Sequence, residues 1–380
     1  MTASKKILIT GGAGFIGTSL THQLLAKGHE VTILDNLSPQ IHGDASTSVL
    51  YNSIKDKVNF IYGDVQNKDD WEKALPGQQI VVHLAAETGT GQSMYQIERY
   101  TTVNVTGTAI FLDLLTNTQH SVEKVVVASS RAIYGEGKYW SPALHREVYP
   151  LGRKEEDMLK GDFAVKCPFT GMDAELRLTD EWSRIQPNSI YGLTKYHQEQ
   201  AIMITCQALG IPAVAYRYQN VYGPGQSLNN PYTGILSIFS TRIKGGNDIN
   251  IFEDGLESRD FVFIDDVVEA TILGIERKES DFHSFNVGTG VATSVLEVAR
   301  TLMKYYGKEV KLSVTGQFRK GDIRHNVADM EKARTLLNFE AKVDFEEGIR
   351  RFTGWVNDQT VMSDQYEASL AEMRAKGLLK

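Results

Sequence analysis

"KILITGGAGFIG", residues 6 to 17, decides the fold. Its first five residues read as a buried strand that stops at a glycine-rich turn, and a helical pattern follows from Phe15 to Ala26. Gly11, Gly14 and Gly17 fall where a tight turn, a close pyrophosphate approach and close helix packing each need a residue without a side chain. The helix start offers N–H groups and a positive dipole end to a phosphate. The next strand, "EVTIL" (30–34), runs into Asp35, eighteen residues past Gly17. A carboxylate there accepts from both ribose hydroxyls of a dinucleotide and repels a 2′-phosphate. NAD is therefore expected over NADP.

Working outward, "VNFIY" (58–62), "IVVHL" (80–84), "KVVVA" (124–128) and "AVAYRY" (213–218) read as further buried parallel strands. Helical segments lie between them, including roughly Tyr95 to Thr116 and the stretch behind Tyr191. This rhythm predicts an α/β fold with a doubly wound parallel sheet. Residues 1–220 are expected to form the dinucleotide-binding domain. Residues 221–380 are expected to form mainly a smaller mixed α/β lobe, with some strands and helices returning to the first domain. Beyond Val221 come a Gly/Pro/Asn-rich loop (222–234), a helix, short strands around "INIF", "RDFVFI" and "FNVG", and helices from Asp265 and Ser294. Ser294 with Glu297 forms a capping box. The last stretch, from about Asp364, reads as a polar-faced helix with little core. Residues 136–187 form a long insertion holding Trp140, Cys167 and Trp182 without clear periodicity, which points to a functional or mobile loop.

The net charge of −7, without a basic stripe, argues against nucleic acid and an anionic membrane surface as partners. An anionic ligand must then be held by local cations and backbone N–H groups. Two cysteines, Cys167 and Cys206, are too few for a disulfide framework. No apolar run approaches a membrane span, and the amino terminus lacks a signal-peptide core. A soluble cytoplasmic enzyme is expected.

The chemistry concentrates in two places. "NSIYGLTKYHQEQ" (188–200) puts Tyr191 and Lys195 four apart, on one face of a helix. A nearby cation favours the ionised phenol, and bringing its pKa from about 10 to about 7 takes about 4 kcal/mol. On spacing alone, two exposed residues of an amphipathic helix would explain the pair better, because Tyr-x-x-x-Lys turns up often by chance. The fifth strand runs into "SSRAIYG", so Ser129 or Ser130 leaves the sheet at its carboxyl edge, where doubly wound folds bind ligands. Asp64, in "YGDV", is a partner for an adenine amine or a turn-capping aspartate.

"GGAGFIG", "HLAAE", "SSRAIYG" and "YGLTK", in that order, resemble the extended short-chain dehydrogenase/reductases, and more narrowly the nucleotide-sugar epimerases and dehydratases. The resemblance implies a Ser–Tyr–Lys catalytic set, with Ser130 matching the family serine better than Ser129. Tyr191 would be the general base, with Lys195 holding the nicotinamide ribose and lowering the phenol pKa. The implied NAD set is Gly11, Gly14, Phe15, Ile16, Gly17, Asp35, Asn36, Asp64, Val65, Leu84, Ala85, Ala86, Asn104, Tyr191 and Lys195. A nucleotide-diphosphate sugar would be met by Thr88, Ser130, Arg131, Asn220, Arg259, Arg319 and Asp322. Bidentate guanidinium groups suit its diphosphate.

Dehydratases of this family follow the catalytic Ser/Thr with Asp-Glu; here those positions are Arg131 and Ala132, which disfavours 4,6-dehydration. "HLAAETGTGQSMYQIERY", "YGPGQSLNNPYTGILSIFS" and "DQYEASLAEMRAKGLL" look most like dTDP-L-rhamnose 4-epimerases and their close relatives. Many of that group carry Cys-Pro-x-Cys-Gly in the insertion. This chain has "CPFTG", with Thr170 at the second cysteine position, and Cys167 alone cannot build a zinc site, so no metal is expected. The insertion then reads as a surface flap or as a lid over the sugar. The expected activity is NAD-dependent inversion at C4 of a nucleotide sugar, an isomerase step in carbohydrate biosynthesis. The alternatives are a nucleotide-sugar 4-ketoreductase and a UDP-hexose or UDP-hexuronate 4-epimerase. A non-catalytic NAD-sensing protein is a remoter reading, against which the intact Ser130, Tyr191 and Lys195 set argues. The family also implies a homodimer through the helices near Tyr191–Leu209 and Tyr95–Thr116.

Overall fold

Strand β1 (Lys6–Thr10) lies inside a seven-stranded sheet in the computed structural model, which describes residues 4–228, 234–359 and 366–380. The other strands are β2 (Glu30–Asp35), β3 (Asn59–Tyr62), β4 (Ile80–His83), β5 (Lys124–Ser130), β6 (Ala213–Tyr218) and β7 (His283–Val287). Their spatial order is β7-β6-β5-β4-β1-β2-β3, and every neighbouring pair is parallel. After β3 the chain returns to the far side of β1 to add β4. That reversal opens a crevice at the carboxyl ends of β1 and β4.

Strand periodicity builds the layers. Ile7, Ile9, Val126 and Val214 point to one face, packing on Leu20 and Leu24 of the first helix and on Val267 and Ile272 of helix Ile264–Glu276. Leu8, Val125, Val127 and Ala213 point to the other, against Trp71, Phe111, Ile202 and Cys206. β7 and helix Ile264–Glu276 thus come from beyond residue 221 yet belong to the main sheet and its cover. Among the described residues no helix is long and apolar enough to cross a membrane.

The smaller lobe is made of short ladders: Asn220–Tyr222 with Phe261–Phe263, Ile249–Ile251 with Leu312–Val314, and Ser258–Arg259 between Thr293–Ser294 and His325–Asn326. Ser294 Oγ accepts from the Glu297 N–H at 3.2 Å, as the capping pattern predicts. Residues 229–233 of the Gly/Pro/Asn-rich loop, and 364 and 365 of the last stretch, lie outside the described residues.

Three expectations change. The segment predicted as one helix over 95–116 runs from Ile97 to Asn117 with a π-helical stretch at Thr101–Thr106. Its wider turn carries Asn104, which is fully buried and bonds the Glu87 backbone and Thr194 Oγ1. The insertion, read as an aperiodic loop, holds a three-stranded antiparallel ladder (Arg146–Val148, Tyr139–Ser141, Glu175–Leu176) over a small core of Tyr139, Val148, Val165 and Cys167. A buried ionic cluster ties it to the smaller lobe: Arg153 donates to Glu253 at 2.5 Å, and the Arg324 N–H donates to Glu136 at 2.9 Å. Last, helix Tyr366–Ala375 is not coreless. Tyr366, Leu370 and Leu379 are buried against Ile238 and Phe252.

Candidate active site

The turn after β1 is shaped by its glycines. Gly11 has φ +68°, and a Cβ there would stand 2.9 Å from the Ala85 backbone. A Cβ on Gly17 would stand 2.6 Å from the Gly11 carbonyl oxygen, so the first helix packs on the turn only with glycine. Asp35 closes β2. Its Oδ2 accepts from the Ala13 N–H at 3.0 Å and its Oδ1 from the Leu37 N–H at 2.8 Å. Burial pushes its carboxyl up, and these two N–H groups pull it back.

A cleft of ≈ 1090 Å³ opens here, bordered by Gly11, Gly14, Phe15, Ile16, Gly17, Asp35, Asn36, Asp64, Val65, Leu84, Ala85, Ala86, Tyr191 and Lys195. Asp64 caps its own turn, accepting from the Gln66 N–H at 2.9 Å, and also faces the cleft, accepting from Asn36 Nδ2 at 2.7 Å. Asn104 departs from its expected place: it stands behind the wall, where the π turn aims its amide at Glu87 and Thr194. The cradle fits a dinucleotide, because its glycines put no side chain over the helix start at Phe15 and Ile16, which borders the cleft, and Asp35 ends the second strand. NAD is expected to bind at least about ten times more tightly than NADP, a difference of about 1.4 kcal/mol. Equal affinities in a titration would remove that role from Asp35.

β5 delivers Ser130 to the same edge. Its Oγ accepts from the Ala132 N–H at 3.1 Å, and it borders the cleft beside Tyr191, whose ionised phenol it favours. Ser129 also borders the cleft, but its hydroxyl has no partner among the described residues. Ser189 caps the Tyr191 helix (Ile190–Leu209), accepting from the Gly192 N–H at 3.1 Å. Lys195 is 2 % exposed and donates to Gln198 Oε1 at 2.7 Å. The electrostatics differ from the expectation that Lys195 lowers the phenol pKa. Burial pushes Tyr191 up, and the opposing influences are the Ser130 hydrogen bond and the charge of Arg131. Lys195 is itself pulled down to about 7 by burial, with Glu199 opposing.

A second cavity of ≈ 500 Å³ meets the cleft at Thr88, Ser130 and Tyr191, which border both. Arg131, Asn220, Arg259, Arg319 and Asp322 line it. Arg131 Nε donates to Asn220 Oδ1 at 3.1 Å, and Arg259 Nη2 to Asp322 Oδ1 at 2.9 Å. Burial works against the Asp322 charge, but Arg259, Arg319, Arg153 and Arg131 outweigh it and hold its carboxyl low. The insertion 136–187 reaches this cavity through Arg153, whose Nη2 donates to the Asp322 carbonyl at 3.0 Å.

Glu257 is a cavity residue that the motifs do not reveal. Strand alternation carries the signal, since residues two apart share a face and Arg259 already points to the site. Its Oε2 is buried without a partner among the described residues, and burial, Glu253 and Asp322 push its carboxyl up to about 7. An acid with a raised folded-state pKa keeps a proton that the unfolded chain releases, so it lowers stability as pH rises from about 4.3 to about 7. Glu257→Gln is therefore expected to be more stable than the parent by about 1–3 kcal/mol at pH 8 and equal to it at pH 4. Denaturant melts at the two pH values check this. A stability gap that does not change with pH would contradict it.

Fold and site together define a dinucleotide-dependent enzyme with a Ser–Tyr pair between a cofactor cleft and an arginine-lined cavity. The model of the NAD dependent epimerase/dehydratase family matches residues 7–155 and 167–288, and this chain belongs to that family. It is an NAD-dependent enzyme of the extended short-chain dehydrogenase/reductase fold. It is 39% identical to a dTDP-L-rhamnose 4-epimerase of Burkholderia thailandensis over 354 residues, covering 93% of this chain and 95% of the relative. A UDP-glucose 4-epimerase of Thermotoga maritima, solved with UDP-glucose, superposes with a TM-score of 0.73 at 28% identity, covering 93% of this chain and 98% of that one. The Thermus thermophilus UDP-glucose 4-epimerase in complex with NAD gives 0.71 at 26% identity, over 93% and 100% of the two chains.

Proposed function

We propose that this protein inverts C4 of a nucleotide-diphosphate sugar through a transient 4-keto sugar, its substrate being a dTDP-6-deoxyhexose of the L-rhamnose type. The observation that carries the reading is the Ser130–Tyr191 pair on the seam between the dinucleotide cleft and the arginine-lined cavity, both residues bordering both. Bound NAD supplies the acceptor and then the donor of hydride at C4. Tyr191 takes the C4 hydroxyl proton, through or beside Ser130, and later returns it. Asn220, Arg259 and Arg319 keep the diphosphate clamped while the keto sugar turns its other face. Arg131 and Ala132 offer neither the acid nor the base that a dehydration needs. In this reading residues 1–220 hold NAD and residues 221–380 mainly hold the sugar nucleotide.

The Burkholderia thailandensis relative favours the dTDP sugar; the solved UDP-glucose 4-epimerases favour a UDP-hexose as the second reading. Incubation with dTDP- and UDP-sugars, with C4 stereochemistry read by NMR, decides between them. Interconversion of the dTDP-6-deoxyhexose pair in preference to all others is expected. Faster turnover of a UDP-hexose would transfer the assignment. Stoichiometric NAD(P)H consumption with a 4-keto sugar and no inversion would make the enzyme a ketoreductase.

We also assign a homodimer through the Tyr191 helix and the segment from Ile97 to Asn117. Ile97, Leu193, Ile204 and Leu209 are exposed apolar residues on these elements. Light scattering at micromolar protein should give twice the chain mass; a monomeric mass would refute the pairing.

A further inference from the structure

We infer that the last helix, Tyr366–Ala375, forms the nucleobase wall of the substrate cavity, making Tyr366, Ser369 and Met373 specificity-determining residues; this rests on the nucleotide-sugar reading above. The cavity has an order. Tyr191 and Ser130 stand at one end, with Arg131 beside them on Asn220. The Arg259–Asp322 pair follows, and then Arg319, whose guanidinium lies 4.7 Å from the centre of the Phe252 ring. Phe252 packs on the cluster of Tyr366 and Leu370. With the sugar at Tyr191 and the diphosphate at the arginines, the nucleoside end of the ligand faces this helix.

The wall there has the chemistry of a base site. Phe252, Tyr366, Met373 and Ile238 supply aromatic and apolar surface, and Asn250 and Ser369 add polar groups. The segment is also fixed to the clamp. Phe318 and Lys380 exchange both backbone hydrogen bonds at 3.0 Å, and the Lys320 N–H donates to the Leu378 carbonyl at 2.9 Å, so Arg319 is held in an isolated antiparallel bridge with Leu379, beyond the helix. Arg242 holds Tyr366 from the far side, its guanidinium 4.6 Å from the ring centre. Ser369 is 6 % exposed, and its Oγ bonds within the helix to the Tyr366 carbonyl, so a larger side chain there must occupy the cavity.

The test is calorimetric titration of the full-length protein with UDP, dTDP and, separately, NAD. Ser369→Trp is expected to weaken both nucleoside diphosphates by at least about tenfold and to leave NAD unchanged. Unchanged nucleotide affinity in a variant that still binds NAD would overturn the assignment. Should Ser369→Trp lose NAD as well, Met373→Ala decides: nucleotide affinity about threefold weaker upholds the wall, and an unchanged affinity rejects it. A parent protein that binds neither UDP nor dTDP would instead refute the nucleotide-sugar reading itself.

Discussion

Tyr191→Phe should lower turnover by at least about 10²- to 10⁴-fold and leave NAD and sugar-nucleotide affinity within a factor of about two. One hydroxyl is removed from a site still held by Gly11, Gly14, Gly17 and the arginine clamp. The lost atom is the one whose ionisation Ser130 and Arg131 both favour. Burial alone disfavours the phenolate here, so Ser130 and Arg131 have to offset it. Steady-state rates with separate binding titrations check the split between turnover and affinity. A variant that kept a tenth of the parent rate would take the proton-transfer role from Tyr191.

Gly192→Ala is expected to cost about 10²-fold in turnover although it touches no ligand. A Cβ on Gly192 would stand 2.5 Å from the Ala132 carbonyl oxygen, a backbone atom with little room to yield. The first turn of the Tyr191 helix must then move away from the segment that carries Ser130. A displacement near 1 Å suffices for a loss of that size. NAD affinity should hold, because the glycine turn after β1 lies elsewhere. Parent-like activity would show that this close packing does not set the Ser130–Tyr191 geometry.

The main sheet was legible because its inner strands are buried on both faces and appear as near-continuous apolar runs between helices; the edge strand β3, expected to be buried too, leaves Asn59 and Tyr62 exposed. The glycine turn and Asp35 were legible for the same reason, being punctuation at the ends of two such runs. Choosing Ser130 over Ser129 needed the family resemblance; in the structure Ser130 acts on the Tyr191 phenol, while the Ser129 hydroxyl has no partner among the described residues. Other features rest on contacts distant in sequence. The insertion's strands span two or three residues each, too short for any period to register. Leu370 and Leu379 find their core in Ile238 and Phe252, more than a hundred positions away. Asn104 is aimed by a π turn that no residue pattern marks. Arg131 was read as a ligand contact, and its electrostatic action on Tyr191 emerges only when the turn after β5 meets the start of the Tyr191 helix in space.

The most direct test of the central claim uses a nucleotide sugar deuterated at C4, incubated with the NAD-loaded enzyme in ordinary water and without added reductant. Inverted product that keeps its C4 deuterium is the predicted result, since the label would leave and return within one active site. Inverted product carrying solvent hydrogen at C4 would contradict direct return, and with it the assignment of this enzyme as a C4 epimerase.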